Sequence, residues 1–365
     1  MKTIKVDIPF LISIGILIVG GFMIFSSASL GLLSSNSTTY SSVSFNQTFF
    51  GLFLGLLACI ITSQIDYKIY RDYSFWIFIL SIFATLLVFV PHIGSSHGGA
   101  ARWIYIGSLS FQTSELLKIG FIMYLSAWLS VKDKAKTFRN GFLPFAILSL
   151  IVGLILLKQP DTDTFLITFF AGIAIFLTAG GKWRYMMILA VIGAMGIGVL
   201  AIERPYLMSR FTTFLNPGQN SLTSGYQIEQ SLIAIGSGGL TGRGFGQSIQ
   251  KFNFLPEPIG DSIFAVASEE FGFIGAVGIV LLFVFFAFRG LKIAGRVPDN
   301  YGRLITVGIV IMIVSQAFVN IGAMVGVLPL SGIPLPFISH GGTALFMTLA
   351  EIGIVLNVSK SMRKK

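Results

Sequence analysis

Charged residues are scarce in this chain. Asp, Glu, Lys and Arg make up 11% of its 365 residues, less than half of the roughly 25% found in soluble domains. With 54% hydrophobic residues and a mean hydropathy of +0.84, this scarcity excludes a water-soluble globular fold and leaves an integral membrane protein. Cysteine is almost absent. Cys59 stands alone, so no internal disulfide can form and the redox compartment cannot be read. No internal repeat is visible, which argues against an inverted-repeat transporter.

What the chain does have is long apolar runs. Ten segments reach the about 20 apolar residues that carry a helix across hydrocarbon about 30 Å thick. They lie near 8 to 29, 47 to 64, 74 to 91, 112 to 130, 142 to 158, 163 to 180, 184 to 202, 262 to 288, 304 to 327 and 339 to 357. The first run is longer than the apolar region of a signal peptide and is expected to stay as an uncleaved span. The net charge of +10 raises the question of a polyanionic partner, but the cations segregate. Lys2, Lys5, Lys68, Arg71, the stretch from Lys132 to Arg139, Lys182, Arg184, the stretch from Arg289 to Arg303 and the tail from Lys360 hold 18 of the 25 Lys and Arg, all on one side of the ten-span model. By the positive-inside rule both termini are cytoplasmic, and topology rather than nucleic acid explains the surplus. The expectation is an all-α integral membrane protein of ten transmembrane helices, a single polytopic domain over 1–365. A large extracytoplasmic loop, 203–260, joins helices 7 and 8 and is expected to pack on the outer face.

The outer connections are uneven. "SSNSTTYSSVSFNQ" reads as a solvated connector. "LPLSGIPLPFISHGGTALF" reads as an extended or re-entrant segment, tolerated at membrane depth only where protein covers it. "GSGGLTGRGFG", 236–246, offers backbone amides to a phosphate but lacks the G-x-x-x-x-G-K-[ST] spacing, and close backbone packing explains it equally well. Ionisable groups within spans are functional candidates by default. Glu115 and Lys118 are three apart and share a helix face, where they either act on a ligand or neutralise each other. Asp161 and Asp163, in "QPDTDT", lie at an outer turn where a cap is the plain alternative. Arg102 sits in "GAARWIYIG" beside aromatics suited to the headgroup level. Asp261 opens span 8, where a helix cap is again the plain alternative. Glu269 and Glu270 follow about 12 Å deeper if that helix is straight.

Several motifs together carry a family resemblance: "GAARWIYIGSLSFQTSELLK", "QPDTDT", "RFTTFLNP", "GYQIEQSLIAIGSGGLTGRGFGQSIQKFNFLPEPIGDSIFAVASEEFGFIGA" and "FVNIGAMVGVLPLSGIPLPFISHGGT". In order and interval, over essentially the whole chain, they resemble the SEDS family (shape, elongation, division and sporulation), bacterial membrane glycosyltransferases that polymerise peptidoglycan. "GQSIQKFNFLPEP" and "GIPLPFISHGG" look more like its division branch than its elongation branch. The resemblance implies that Asp261 is catalytic. It implies substrate-binding roles for Arg102, Glu115, Lys118, Asp161, Arg210, Arg243, Ser339 and His340. Three positions depart from the family pattern: Ile259-Gly260 replace His-Thr, His340 replaces Tyr and Asp163 replaces Gly.

The implied substrates are lipid II and the growing glycan strand. A carboxylate takes the proton of the attacking sugar hydroxyl, and outer cations receive the leaving pyrophosphate. No metal-binding residues are assigned and no cofactor is required by this reading, with Mg²⁺ or Mn²⁺ as a candidate assistant. The implied partners are a class B penicillin-binding protein transpeptidase and other division-complex membrane proteins, at the cell membrane and its division septum. A lipid-precursor flippase and a noncatalytic scaffold are the alternatives from other classes.

Overall fold

A computed structural model describes residues 6–35, 37–91, 94–97, 100–106, 109–189, 191, 193, 205–216 and 224–362. In chain order the helices are α1 (Ile8–Ser35), α2 (Ser37–Gln64), α3 (Tyr67–Leu86), α4 (Thr113–Leu129), α5 (Leu143–Lys158), α6 (Thr162–Thr178), α7 (Pro205–Leu215), α8 (Ser224–Ser237), α9 (Ile263–Ala294), α10 (Asn300–Met324) and α11 (Gly342–Ser359). Among the described residues, seven helices are long and apolar enough to cross a bilayer, and Thr162–Thr178 is a shorter apolar one. Most of the seventh expected span, 184–202, lies outside the described residues; 183–189 is helical.

Polar contacts between helix ends define one face of the bundle. Arg289, near the end of α9, pairs with Asp7 at the start of α1 (2.6 Å). Asp7 N donates to Ser359 at the end of α11. Asn357 Nδ2 donates to Ser63 O at the end of α2, and Tyr67 N at the start of α3 donates back to Asn357 Oδ1. Asn300 reaches Ser130 O below α4, and Arg303 reaches Thr178 O at the end of α6. The beginning of α1 and the end of α11 thus share the face on which the sequence gathers its cations.

Three expectations need correction. The Ser/Thr-rich stretch after α1 is not a loose connector: Ser37–Phe45 is helical and runs through π-helical turns at Asn46–Leu54 into the next span. The fold is not purely helical either. Strands β1 (Gly94–His97), β2 (Ala100–Ile106) and β3 (Leu109–Gln112) form an antiparallel sheet in the order β1-β2-β3 between α3 and α4. Third, α9 is not straight. Gly272 has φ +67° and ψ −167°, which breaks the helix after Phe271.

The 22 residues that follow the break are about 33 Å long and suffice to cross the bilayer. The piece carrying Glu269 and Glu270 therefore need not lie inside it, contrary to the depth inferred for a straight helix. The glycine-rich stretch answers the break: Arg243 N and Gly244 N donate to Glu269 O and Glu270 O, while Phe273 N and Ile274 N donate to Gly239 O and Leu240 O. A Cβ on Gly272 would stand 2.2 Å from Gly242 N. Close backbone packing accounts for Gly238 and Gly242, and positive φ angles account for Gly239, Gly242, Gly244 and Gly246.

The two glutamates fasten the segment 243–251. Glu269 accepts from Ser248 Oγ (2.6 Å), Ile249 N and Gln250 N, and lies 3.4 Å from Arg243 Nε. Glu270 accepts from Ser27 Oγ of α1 (2.5 Å) and from Lys251 Nζ (2.8 Å), both partners of the ion pair being fully buried. Lys251 also donates to Ser27 Oγ and Gly246 O, which uses all three of its protons. Lys251→Met strands Glu270 without its cation and is expected to cost roughly 3–5 kcal/mol, read as a lower melting temperature of the detergent-solubilised protein. Adding Glu270→Gln should recover part of that loss; additive effects would show that the two charges are independent.

Candidate active site

The candidate site forms where α4, α6, α7 and α10 meet the extended segment 328–341 and the turn that precedes α9. Three ion pairs surround it. On α4, Lys118 Nζ lies 2.8 Å from Glu115 Oε1, both buried, and donates to Gln316 Oε1 of α10 (3.2 Å). At the α5–α6 turn, Asp161 faces Arg102 of β2 at 3.8 Å, and Arg102 Nη2 also donates to Pro160 O. Asp163, in the first turn of α6, accepts from Arg210 Nη1 of α7 at 2.7 Å. The pairing of Glu115 with Lys118 follows from their i,i+3 spacing, but the other two link elements far apart in the chain.

Asp261 lies beside these pairs and, among the described residues, has no ion-pair partner of its own. Its carboxylate does not cap α9: the N-cap is Ser262, with no side-chain capping bond. Asp161 likewise makes no capping bond to α6. Asp261 Oδ2 lies 3.6 Å from where a Cβ on Gly332 would stand, and Gly332 N donates to Asp163 Oδ2 (3.3 Å). Gly332 therefore sits between the two aspartates. Removal from water, then the nearby charges of Glu257 and Asp163, push the Asp261 carboxyl up to about 7, against the weaker pull of Arg210 and Arg102. Burial also raises Asp161, with Arg102 opposing. A cavity of about 10 Å³, the space of a single water, joins Glu115, Lys118, Asp161 and Gln316 to residues 332–334.

The backbone around Asp261 is held at three successive carbonyls. His340 N donates to Ile259 O (2.7 Å), Ser339 Oγ to Gly260 O (2.7 Å) and Asn320 Nδ2 to Asp261 O (2.8 Å). Ser339 Oγ also accepts from Leu335 N, and Gln47 spans Ser339 O and Gly341 N. Both Ser339 and His340 are turned inward. The His340 ring stacks on Phe25 at 6.1 Å, and burial lowers it to about 4, leaving it neutral. Ile259, one of the departures from the family pattern, is buried in the apolar core.

Of the residues singled out in the sequence, Arg102, Glu115, Lys118, Asp161, Arg210 and Asp261 are thus brought together. Ser339 and His340 support the Asp261 turn from behind. Arg243 stands apart, at Glu269. Sequence reasoning missed Gln316, Asn320 and Gly332, and gave Asp163 no substrate-binding role. Two amides four residues apart in an otherwise apolar span were the available signal for the first two. The carboxylates do not build a cation cage: among the described residues no three His, Cys, Asp or Glu side chains group at metal-binding distances, and Asp161 and Asp163 face guanidinium groups. No step is therefore routed through a metal.

The raised Asp261 gives a testable sign. Its folded value, about 7, lies above the ordinary 3.8, so the stability held below pH 3.8 is lost as pH rises through 7. Asp261→Asn should melt with the wild type near pH 4 and above it at pH 8; equal melting temperatures at both would place the group in water.

Comparison with known proteins finds that residues 8–364 match the family model for FtsW, RodA and SpoVE, described as cell cycle protein. Stage V sporulation protein E of Bacillus subtilis is 40% identical over 340 residues, which cover 91% of this chain and 93% of that protein. A probable peptidoglycan glycosyltransferase FtsW of Saccharophagus degradans is 33% identical, covering 99% and 94%. Among solved structures, a chain of a peptidoglycan synthase complex that coordinates polymerization and crosslinking superposes with a TM-score of 0.81 at 25% identity, over 99% of both chains. The rod shape determining protein RodA of Thermus thermophilus does so with 0.72 at 25% identity, over 100% of both.

Proposed function

The chain belongs to the FtsW, RodA and SpoVE family of cell cycle proteins, and from that premise we propose that it is a peptidoglycan glycosyltransferase that extends glycan strands from lipid II at the outer face of the cell membrane. It is a multi-pass membrane protein; the ten-crossing topology with an outer 203–260 loop is part of this reading. The carrying observation is Asp261, a carboxyl poised near neutrality beside the Arg102–Asp161 and Arg210–Asp163 ion pairs.

In the reaction, a sugar hydroxyl attacks the anomeric carbon of a second lipid-linked sugar. A glycosidic C–O bond forms, the bond from that carbon to the pyrophosphate oxygen breaks, and the hydroxyl proton passes to Asp261. A base of pKa near the working pH is the efficient choice. The departing pyrophosphate gains negative charge, which Arg102, Arg210 and Lys118 receive. Their carboxylate partners hold the three cations in position beforehand, so that little reorganisation is needed when the charge develops. Among the described residues Arg102 Nε has no partner, leaving a donor for that anion. Ser339 and His340 serve by fixing the Asp261 turn, and Arg243 by joining the 236–246 loop to α9.

A solved neighbour belongs to a peptidoglycan synthase complex, which supports a class B penicillin-binding protein as the partner that crosslinks the new strand. The division-like motifs support work at the septum with other division-complex proteins.

The test is polymerisation of purified lipid II by the chain with its transpeptidase. Asp261→Ala should lower turnover about 10²- to 10⁴-fold, and the acidic limb of kcat/KM for the wild type should fall near pH 7. Wild-type rates from a folded Asp261→Ala protein would overturn the assignment, and lipid transfer across the membrane without polymer would favour a flippase.

A further inference from the structure

We infer that Gln316 and Asn320 of α10 are positioning residues that set the spacing between the site's cation and its base. The inference rests on the glycosyltransferase reading above and deepens it.

α10 is a deeply buried, apolar helix, and these two amides lie four residues apart, on one face. Their rise along the axis is about 6 Å. Gln316 acts in two directions. Its Oε1 accepts from Lys118 Nζ (3.2 Å), and its Nε2 donates to Pro334 O (3.2 Å). Asn320 spends both protons of Nδ2, one on Asp261 O and one on Ile333 O, each at 2.8 Å. Successive carbonyls of the extended segment, 333 and 334, are therefore held by successive amides of the helix. The preceding residue, Gly332, donates its N–H to Asp163 Oδ2, and a Cβ placed on it would stand 3.6 Å from Asp261 Oδ2.

This arrangement forms a continuous frame. Lys118 is held at one end of it and the Asp261 backbone at the other. The rigid element between them is a single helical turn of α10. A carboxamide is the only uncharged side-chain group that offers both an acceptor and two donors. Gln316 needs both functions, and Asn320 needs two donors aimed at carbonyl oxygens. Asn320→Asp has nearly the same shape but, ionised, can only accept. Gln316→Met has similar length and no hydrogen-bonding capacity comparable to the amide.

A purely structural pair would lower the folded fraction and leave the folded enzyme's kinetics alone. A positioning pair changes turnover itself, since misplacing a catalytic group by about 1 Å can cost about 10²-fold. The experiment compares wild type, Asp261→Asn, Asn320→Leu, Asn320→Asp, Gln316→Met and Gln316→Glu, each with its transpeptidase, for lipid II polymerisation per folded protein, with the folded fraction counted by detergent melting. Asn320→Leu and Asn320→Asp should lose about 10²-fold in kcat with KM within about twofold. Gln316→Met should lose comparably, and Gln316→Glu, which keeps the acceptor for Lys118, should recover much of that loss.

Full turnover by folded Asn320→Leu, or no difference between Gln316→Met and Gln316→Glu, overturns the inference. If Asn320→Leu does not fold, Asn320→Ser, which keeps one donor, takes its place and should fall between wild type and Asn320→Asp. Inactive wild type, or active Asp261→Asn, would instead defeat the underlying functional reading.

Discussion

Backbone that leaves helical form inside a membrane protein must have its amides and carbonyls answered by protein, because hydrocarbon offers them nothing. The segment 328–341 is such backbone, buried at Leu330, Ile333, Leu335, Phe337 and Ile338. Most of the polar architecture of the site answers it. Asn320 and Gln316 take its carbonyls, Asp163 takes its Gly332 amide, and Gln47 takes Ser339 O and Gly341 N. In return the segment fixes the turn at 259–261 through His340 N and Ser339 Oγ. The reactive carboxyl is thereby carried by a loop that has the rigidity of a packed interior, and this is what allows it to be poised.

Among the described residues, three acids in this region hold a cation and Asp261 does not. Glu115, Asp161 and Asp163 each face Lys118, Arg102 or Arg210. These pairs bring charge to the site without stranding it, since an unpaired buried charge is costly. Asp261 is close enough to feel the acids and too far from the guanidinium groups to be neutralised by them, so its proton is held more tightly than an ordinary carboxyl's. The same geometry that destabilises its ionised form makes it a stronger base once ionised. Lys251 and Glu270 perform a different task, clamping the segment around Lys251 to α1.

Much was legible in the sequence because membrane insertion leaves local signatures. Apolar length located the helices, and the bias of Lys and Arg located the face that contacts between helix ends now define. The Glu115–Lys118 pair was visible from spacing alone. The resemblance of motifs brought Asp261, Arg102, Asp161 and Arg210 onto one short list before any geometry was available. The β-sheet at 94–112 was missed because β1 and β3 are four residues each and the aromatics of β2 also suit the headgroup level. The break in α9 was missed because a single glycine in a long apolar run is usually tolerated.

What the sequence by itself determined is what depends on neighbours along the chain: transmembrane character, the gathering of cations in a few connections, and the i,i+3 ion pair. What only the tertiary structure decided depends on groups brought together from distant segments. Arg210 met Asp163 and Asn320 met Asp261 across 47 and 59 positions, Glu270 found Lys251 through a loop folded back on a helix break, and Arg243 went to Glu269 rather than to Asp261. Hydrogen bonds and desolvation act over a few ångströms of space, and no spacing in the chain encodes which of several available cations a buried acid will reach.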